Sequence, residues 1–452
     1  MNRLRFLAGA LLLLGATPLA AQGIKVPATV DTLPNGLRLI VHEDASAPIV
    51  TVDSWFWVGS GSEKPGRTGF AHLFEHLMFM GSEHAPYPQF DRLLEAAGAD
   101  NNGSTTEDRT NYYEAGPVSA LPLMLWLDAD RMGWLLPTMD SAKVDAQRDI
   151  VKNERRQSYE NQPYGKVADV MPKLMYPSTH PYSWPVIGSM ADLSAASLED
   201  VKDFFRTYYA PSNAVITVAG AVKHDSVLAL VRRYFGSIPR GPAIVRPAPV
   251  QPQLAADTIV TLEDRVQVPR LYYNFESVRA GAEDDAALQI AAYVLSGAKN
   301  SRLTQRLVYA DQTAANVSAS PDHRTLAGEF GVTATARPGH PLPELQRAVD
   351  DELRRLADKG PTDRELQQAR NAIEAGFLRR IQTVRGKADQ LNHYYYQTGA
   401  PDGFQHDLDK LRAVTAADVQ RVVNRYLLGP RVIVSVVPTG KPELAAERRV
   451  SP

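Results

Sequence analysis

The sequence predicts an α+β protein of two homologous halves, each a β-sheet with helices packed on one face. Three observations carry this. A proline-rich stretch, "SIPRGPAIVRPAPVQPQLAADT" (237–258), has neither helical nor alternating periodicity and divides the chain. "SLEDVKDFFRTYYAPSNAVITVAG", from Ser197, lies over "TAADVQRVVNRYLLGPRVIVSVVP", from Thr415, at a constant offset of 218 residues. Within each half, strand-like runs come first and helical runs after, the order of α+β architecture rather than of alternating βαβ units.

Taken in order, the chain opens with "MNRLRFLAGALLLLGATPLAAQG". Basic Arg3 and Arg5, an apolar run and the small residues Ala20 and Ala21 make residues 1–21 a signal peptide. The run from Phe6 to Ala16 is shorter than the roughly 20 residues a membrane span needs. The mature chain is therefore expected to be secreted or periplasmic, with no span after signal removal. An N-terminal domain follows over 22–240, with strands near 37–43, 49–58, 100–106 and 110–115 and helices through most of 117–210. A linker over 241–257 leads to a C-terminal domain, 258–452, with strands near 258–263, 270–276, 312–319 and 327–335 and helices to 427.

The repeated unit gives each half its last helix and strand. Ser197 with Asp200, and Thr415 with Asp418, have the layout of a helix-capping box. Each helix runs through a turn with proline (Pro211, Pro430) into a β-branched strand. Earlier in the halves, "APIVTVDSWFWVGSG" from Ala47 resembles "VPRLYYNFESVRAG" from Val268, and each leads to a helix ending in glycine.

Composition narrows the chemistry. A net charge of -2 offers no basic footprint for nucleic acid. The absence of cysteine removes disulfides, thiol nucleophiles and thiolate metal sites, so any metal must be held by His, Asp or Glu.

"GFAHLFEHLMFMGS" (69–82) is where those residue types converge. At about 100° per residue, His72, Glu75, His76 and Phe79 share one stripe of a helix, and Phe70, Leu73, Phe74 and Leu77 the opposite one. Histidines at i and i+4 can bind one metal ion together, and Glu75 can reach a water on it. His-x-x-Glu-His is the inverse of the commoner zinc-peptidase motif and puts the same groups on one face. Aligning Gly81 with Gly297 sets Leu288, Ala291 and Ala292 opposite the trio, so the second half keeps the helix without the polar residues. A catalytic zinc usually takes three protein ligands. "DAQRDIVKNERRQSYENQPYG" offers Glu154 and Glu160, and spacing chemistry alone selects neither.

"GSGSEKPGRTGFAHLFEHLMFMGS" resembles the signature of the pitrilysin/insulinase family of zinc metallopeptidases, whose short two-domain members include the mitochondrial processing peptidase. The resemblance implies a zinc-dependent endopeptidase acting on extended peptides or unfolded polypeptides, with one zinc per chain. It selects Glu154, 78 residues past His76, as the third ligand beside His72 and His76, and makes Glu75 the general base. "NNGSTTEDRTNYYEAG" (101–116) resembles the family's active-site edge strand, which implies that Asn102 and Gly103 bind substrate by strand addition. Short members dimerise to enclose a peptide chamber, so a homodimer, or a heterodimer with a paralogous subunit, is expected. Two departures stand out. Gln147 occupies the position seven residues before Glu154 where a further glutamate is common. Arg324 is a candidate for the family's substrate-holding arginine, but Phe330 stands near where a tyrosine is expected. Beside the active peptidase stand two alternatives, a non-catalytic scaffold and a subunit active only with a paralogous partner.

Overall fold

The computed structural model describes residues 23–447, so the expected signal peptide lies outside the described residues. The first sheet contains β1 (Thr29–Thr32), β2 (Arg38–Glu43), β3 (Ile49–Phe56), β4 (Asp100–Thr105), β5 (Thr110–Pro117) and β6 (Ala214–Gly220), in the order β1-β2-β6-β3-β5-β4. The second contains β7 (Thr258–Asp264), β8 (Arg270–Ser277), β9 (Ala314–His323), β10 (Gly328–Ala336) and β11 (Arg431–Pro438), in the order β7-β11-β8-β10-β9. Without β1 the two orders are the same. In both halves the last strand inserts between the first two, parallel to one and antiparallel to the other. Strand β1 was not among the expected elements; it is four residues long and mostly exposed, and leaves no alternating apolar pattern to read. Residues 241–257 carry no helix or strand.

Both repeated helices start with complete capping boxes, Ser197 with Asp200 and Thr415 with Asp418. The strands that follow, "AVITVAG" and "RVIVSVVP", are buried at every position. Such continuous apolar runs belong to strands covered on both faces. One face of each sheet carries the helices of its own half, as expected. The other face is covered by the opposite half. Helix Val384–Thr398 packs across β3 and β6, joining Leu391 and Tyr394 to Ile40, Trp55 and Val215 in one core. Reciprocally, helix Val167–Met175 packs on β11, with Met171 and Met175 against Val432, Val434 and Val436.

Asn392 is fully buried at the first of these seams, its Nδ2 donating to the Asp53 carbonyl at 3.0 Å and its Oδ1 accepting from Thr217 Oγ1 at 2.5 Å. Asn392→Ala takes from the buried Thr217 hydroxyl its acceptor and from the Asp53 carbonyl its donor outside the β3 ladder, at a cost of about 1–3 kcal/mol. All five tryptophans lie in the first half, although Asn392 belongs to the second. Urea unfolding of the variant should therefore show one weakened transition, coincident by tryptophan fluorescence and by circular dichroism. A fluorescence transition unmoved from wild type would contradict the interlock.

Candidate metal centre

The His-x-x-Glu-His stretch forms a helix of eight residues, Phe70–Leu77. It ends four residues before Gly81, where the sequence pattern suggested it would stop, because beyond Met78 the backbone tightens to bonds three residues apart, Phe79 N to His76 O and Met80 N to Leu77 O. Its first residues are capped in an unusual way. Gly69 sits at φ 89°, a conformation glycine adopts freely, and offers no side chain as a cap. The buried Glu63 carboxylate takes that place, with Oε2 accepting from Gly69 N at 2.9 Å and Oε1 from Ala71 N at 2.8 Å. Anions are favoured at a helix N-terminus, where N–H groups lack intrahelical partners. The apolar stripe of the helix meets Phe204, Phe205 and Tyr209 through the Phe70 and Phe74 rings.

Glu154 arrives on a second helix, Ser141–Arg155, which is capped by Asp140 and buries Val144, Gln147 and Val151. Glu154 Oε2 lies 3.7 Å from His72 Nε2 and 3.5 Å from His76 Nε2. A tetrahedral zinc with ligand bonds of about 2.0–2.2 Å would hold its ligand atoms roughly 3.3 Å apart, so the donor set fits the ion with little adjustment. Among the described residues no other group of three His, Asp or Glu side chains has ligand atoms so close together. Glu160, the last residue of a π-helical turn over Arg156–Glu160, is exposed and outside the cluster. The adjacent arginines have other partners, Arg155 with Asp169 and Arg156 with Asn153. The histidine side chains are 13% and 23% exposed and that of Glu154 is 43% exposed, so solvent reaches the centre from the Glu154 side.

Burial, helped by the neighbouring His76, pushes the His72 imidazole down to about 4. It is thus neutral at ordinary pH, the form that ligates a metal. Glu75 faces the same space. Burial raises its carboxyl above the usual glutamate value, while the hydroxyl of Thr105, donating to Oε2 at 2.6 Å, pulls the other way.

Strand β4 is the free edge of the first sheet and stands beside the motif helix. Asn102 is exposed on it, and its Oδ1 accepts from Gly103 N at 2.8 Å. A Cβ on Gly103 would stand 3.2 Å from Glu75 Cγ, so the glycine makes room for that side chain. Gln147 is buried and directs Nε2 to the Met80 sulfur at 3.0 Å. Arg324, the candidate substrate-holding arginine, is largely buried and engaged within the chain. It bonds Glu107 of the first half at 3.0 Å, Glu329 and the Tyr176 hydroxyl, and lies over the Tyr182 ring. Phe330 is fully buried in the core of the second half, opposite Phe275, and presents nothing to a substrate.

Two residues of the site had no assigned role in the sequence reading. Glu63 leaves a trace there, since a helix opening on glycine needs a carboxylate or hydroxyl from elsewhere. Thr105 leaves none, because its contact joins residues 30 apart.

The fold and this donor set together describe a metallopeptidase-type centre in one half of a duplicated α+β chain. The profile described as "Insulinase (Peptidase family M16)" matches residues 38–180, and that described as "Peptidase M16 inactive domain" matches residues 195–373. The chain belongs to the insulinase family of peptidases, M16. Zinc protease PqqE of Helicobacter pylori is 28% identical over 402 residues, spanning 87% of this chain and 89% of that protein. A probable mitochondrial-processing peptidase subunit beta of Arabidopsis thaliana is 26% identical over 421 residues, 90% and 78% of the two chains. The crystal structure of a protease from Helicobacter pylori matches with a TM-score of 0.86 at 25% identity, covering 91% of this chain and 99% of that one.

The buried His72 has a consequence for the metal-free chain. Below pH 6.5 the unfolded chain takes up a proton at this imidazole that the native chain refuses until about pH 4. Stability from this group therefore falls as the pH falls through that window, by on the order of 3 kcal/mol in all. Metal-free His72→Leu should show a flatter dependence of urea midpoint on pH between 7 and 4 than the wild type; an unchanged dependence would contradict the burial of this ring.

Proposed function

We propose that the chain is a zinc-dependent endopeptidase that hydrolyses extended peptides or unfolded polypeptides. The observation that carries this is the meeting of His72, His76 and Glu154, from two separate helices, on the face that also bears Glu75. One zinc per chain would be held by those three side chains. A zinc ion there supplies Lewis acidity, lowering the pKa of a water toward neutrality and polarising a carbonyl. Glu75 is the general base: Oε1, the oxygen not bonded to Thr105, takes the proton of the attacking water and returns it to the departing amine nitrogen. An extended substrate adds to the free edge of β4, where Asn102 and Gly103 lie, so recognition runs largely through main-chain hydrogen bonds.

Purified protein should contain about one zinc and cleave members of a random peptide pool, and a chelator should stop the cleavage. Glu75→Gln should keep the metal and lose at least about a hundredfold in rate. Cleavage by this variant at the wild-type rate would sink the assignment.

Arg324 is engaged within the chain and Phe330 is buried, so neither is free to hold substrate in this arrangement. That favours a second subunit, another copy or a paralogue, as the source of the missing substrate contacts. The leader places the mature chain in the periplasm or outside the cell, beginning near Gln22. Native mass spectrometry of the exported protein should therefore find a dimer of chains lacking the leader; a monomer of full-length chain would contradict both points.

A further inference from the structure

We propose that the second half acts on the catalytic site through the tip of the β4–β5 hairpin, with Thr105 as the positioning residue for Glu75. The proposal rests on the reading of Glu75 as general base. Glu75 meets β4 at two alternate residues, which a strand presents on one face. At Gly103 the strand has no side chain, and the Glu75 stem passes close to its backbone. At Thr105 the hydroxyl holds Oε2 at 2.6 Å, which restricts rotation of the carboxylate and leaves Oε1 for the water.

Immediately beyond Thr105 the chain turns through Thr106–Arg109, closed by Thr106 N to Arg109 O at 2.9 Å. Both halves grip this turn. From the first half, Ser60 N donates to Thr106 O at 3.1 Å and Gly61 N to Glu107 O at 2.8 Å. From the second half come three contacts on two elements: Arg324 Nη1 to Glu107 Oε1 at 3.0 Å, Thr325 N to Asp108 Oδ2 at 2.9 Å, and Tyr396 OH to Asp108 O at 3.3 Å. Arg324 is itself held by Glu329 and rests on the Tyr182 ring, so it is a fixed point rather than a mobile charge. A movement of the second half is thereby transmitted to Glu107 and Asp108, and through the short span to Thr105 it reaches the base. Arg324 thus contributes to catalysis as a clamp on the hairpin, without touching substrate.

The test uses the zinc-loaded chain, in the assembly in which it is active, and one internally quenched peptide that the wild type cleaves. Thr105→Val is nearly isosteric and removes only the hydroxyl; kcat should fall about five- to tenfold with KM within twofold and zinc content unchanged. Thr105→Ser, which restores the hydroxyl, should recover most of the rate. Glu107→Ala should speed amide exchange across residues 102–109 and lower kcat about threefold, but cause little further loss in the Thr105→Val background, since both act through one contact. Wild-type kcat in Thr105→Val overturns the positioning role, and a Glu107→Ala loss of equal size in both backgrounds overturns the link to the second half. Glu75→Gln run alongside separates the cases: an active Glu75→Gln removes the general-base reading itself, whereas an inactive one with unimpaired Thr105→Val removes only this proposal.

Discussion

A helix of two turns does not persist in water by itself, because nucleation is costly and few hydrogen bonds reward it. The centre of this protein is built on such a helix, Phe70–Leu77, and its geometry follows from how that helix is held. Glu63 satisfies the N–H groups of Gly69 and Ala71, an aromatic wall of Phe204, Phe205 and Tyr209 packs the apolar stripe, and the Tyr112 hydroxyl bonds the Phe74 carbonyl. With these contacts in place the opposite stripe can point only toward Glu154 and β4. Two imidazoles and two carboxylates crowded there are costly to bury unless something compensates them, and a divalent cation does so directly.

Duplication explains why the rest of the chain has the form it does. Both halves keep the same strand order and the same capped helix leading into the inserted strand. The second half carries Leu288, Ala291 and Ala292 on the corresponding helix, all buried, and is released from chemistry. What it contributes instead is cover and support. Each half lends one helix to the uncovered face of the other's sheet, so neither sheet is complete without its counterpart. The Arg324 loop and the Val384–Thr398 helix also reach the hairpin beside Glu75.

Much of this frame was legible in the residues. Ser197–Asp200 and Thr415–Asp418 are local signals, and local signals survive in sequence; both capping boxes and both following strands form as read. The helical stripe of His72, Glu75 and His76 was equally legible, whereas Glu154 needed the family resemblance, because nothing local distinguishes it from Glu160. What sequence could not carry were contacts between distant residues. Arg324 reads as a candidate to hold substrate, and its engagement by Glu107, 217 residues away, is not legible in sequence. That Phe330 is a core residue follows from strand parity, which sends it, with Phe275 opposite, into the interior of the second half. The motif helix ends at Leu77 although Met78, Phe79 and Met80 prolong the apolar pattern, since periodicity does not see the backbone tighten.

The central claim is that one zinc is held by two imidazoles and a carboxylate from this chain. X-ray absorption at the zinc edge of the loaded protein measures that most directly. The account predicts a first shell of nitrogen and oxygen at about 2.0–2.2 Å, with outer-shell scattering from two imidazole rings that is lost in a His72→Leu, His76→Leu double variant. A shell without imidazole scattering, or one unchanged in that variant, would contradict it.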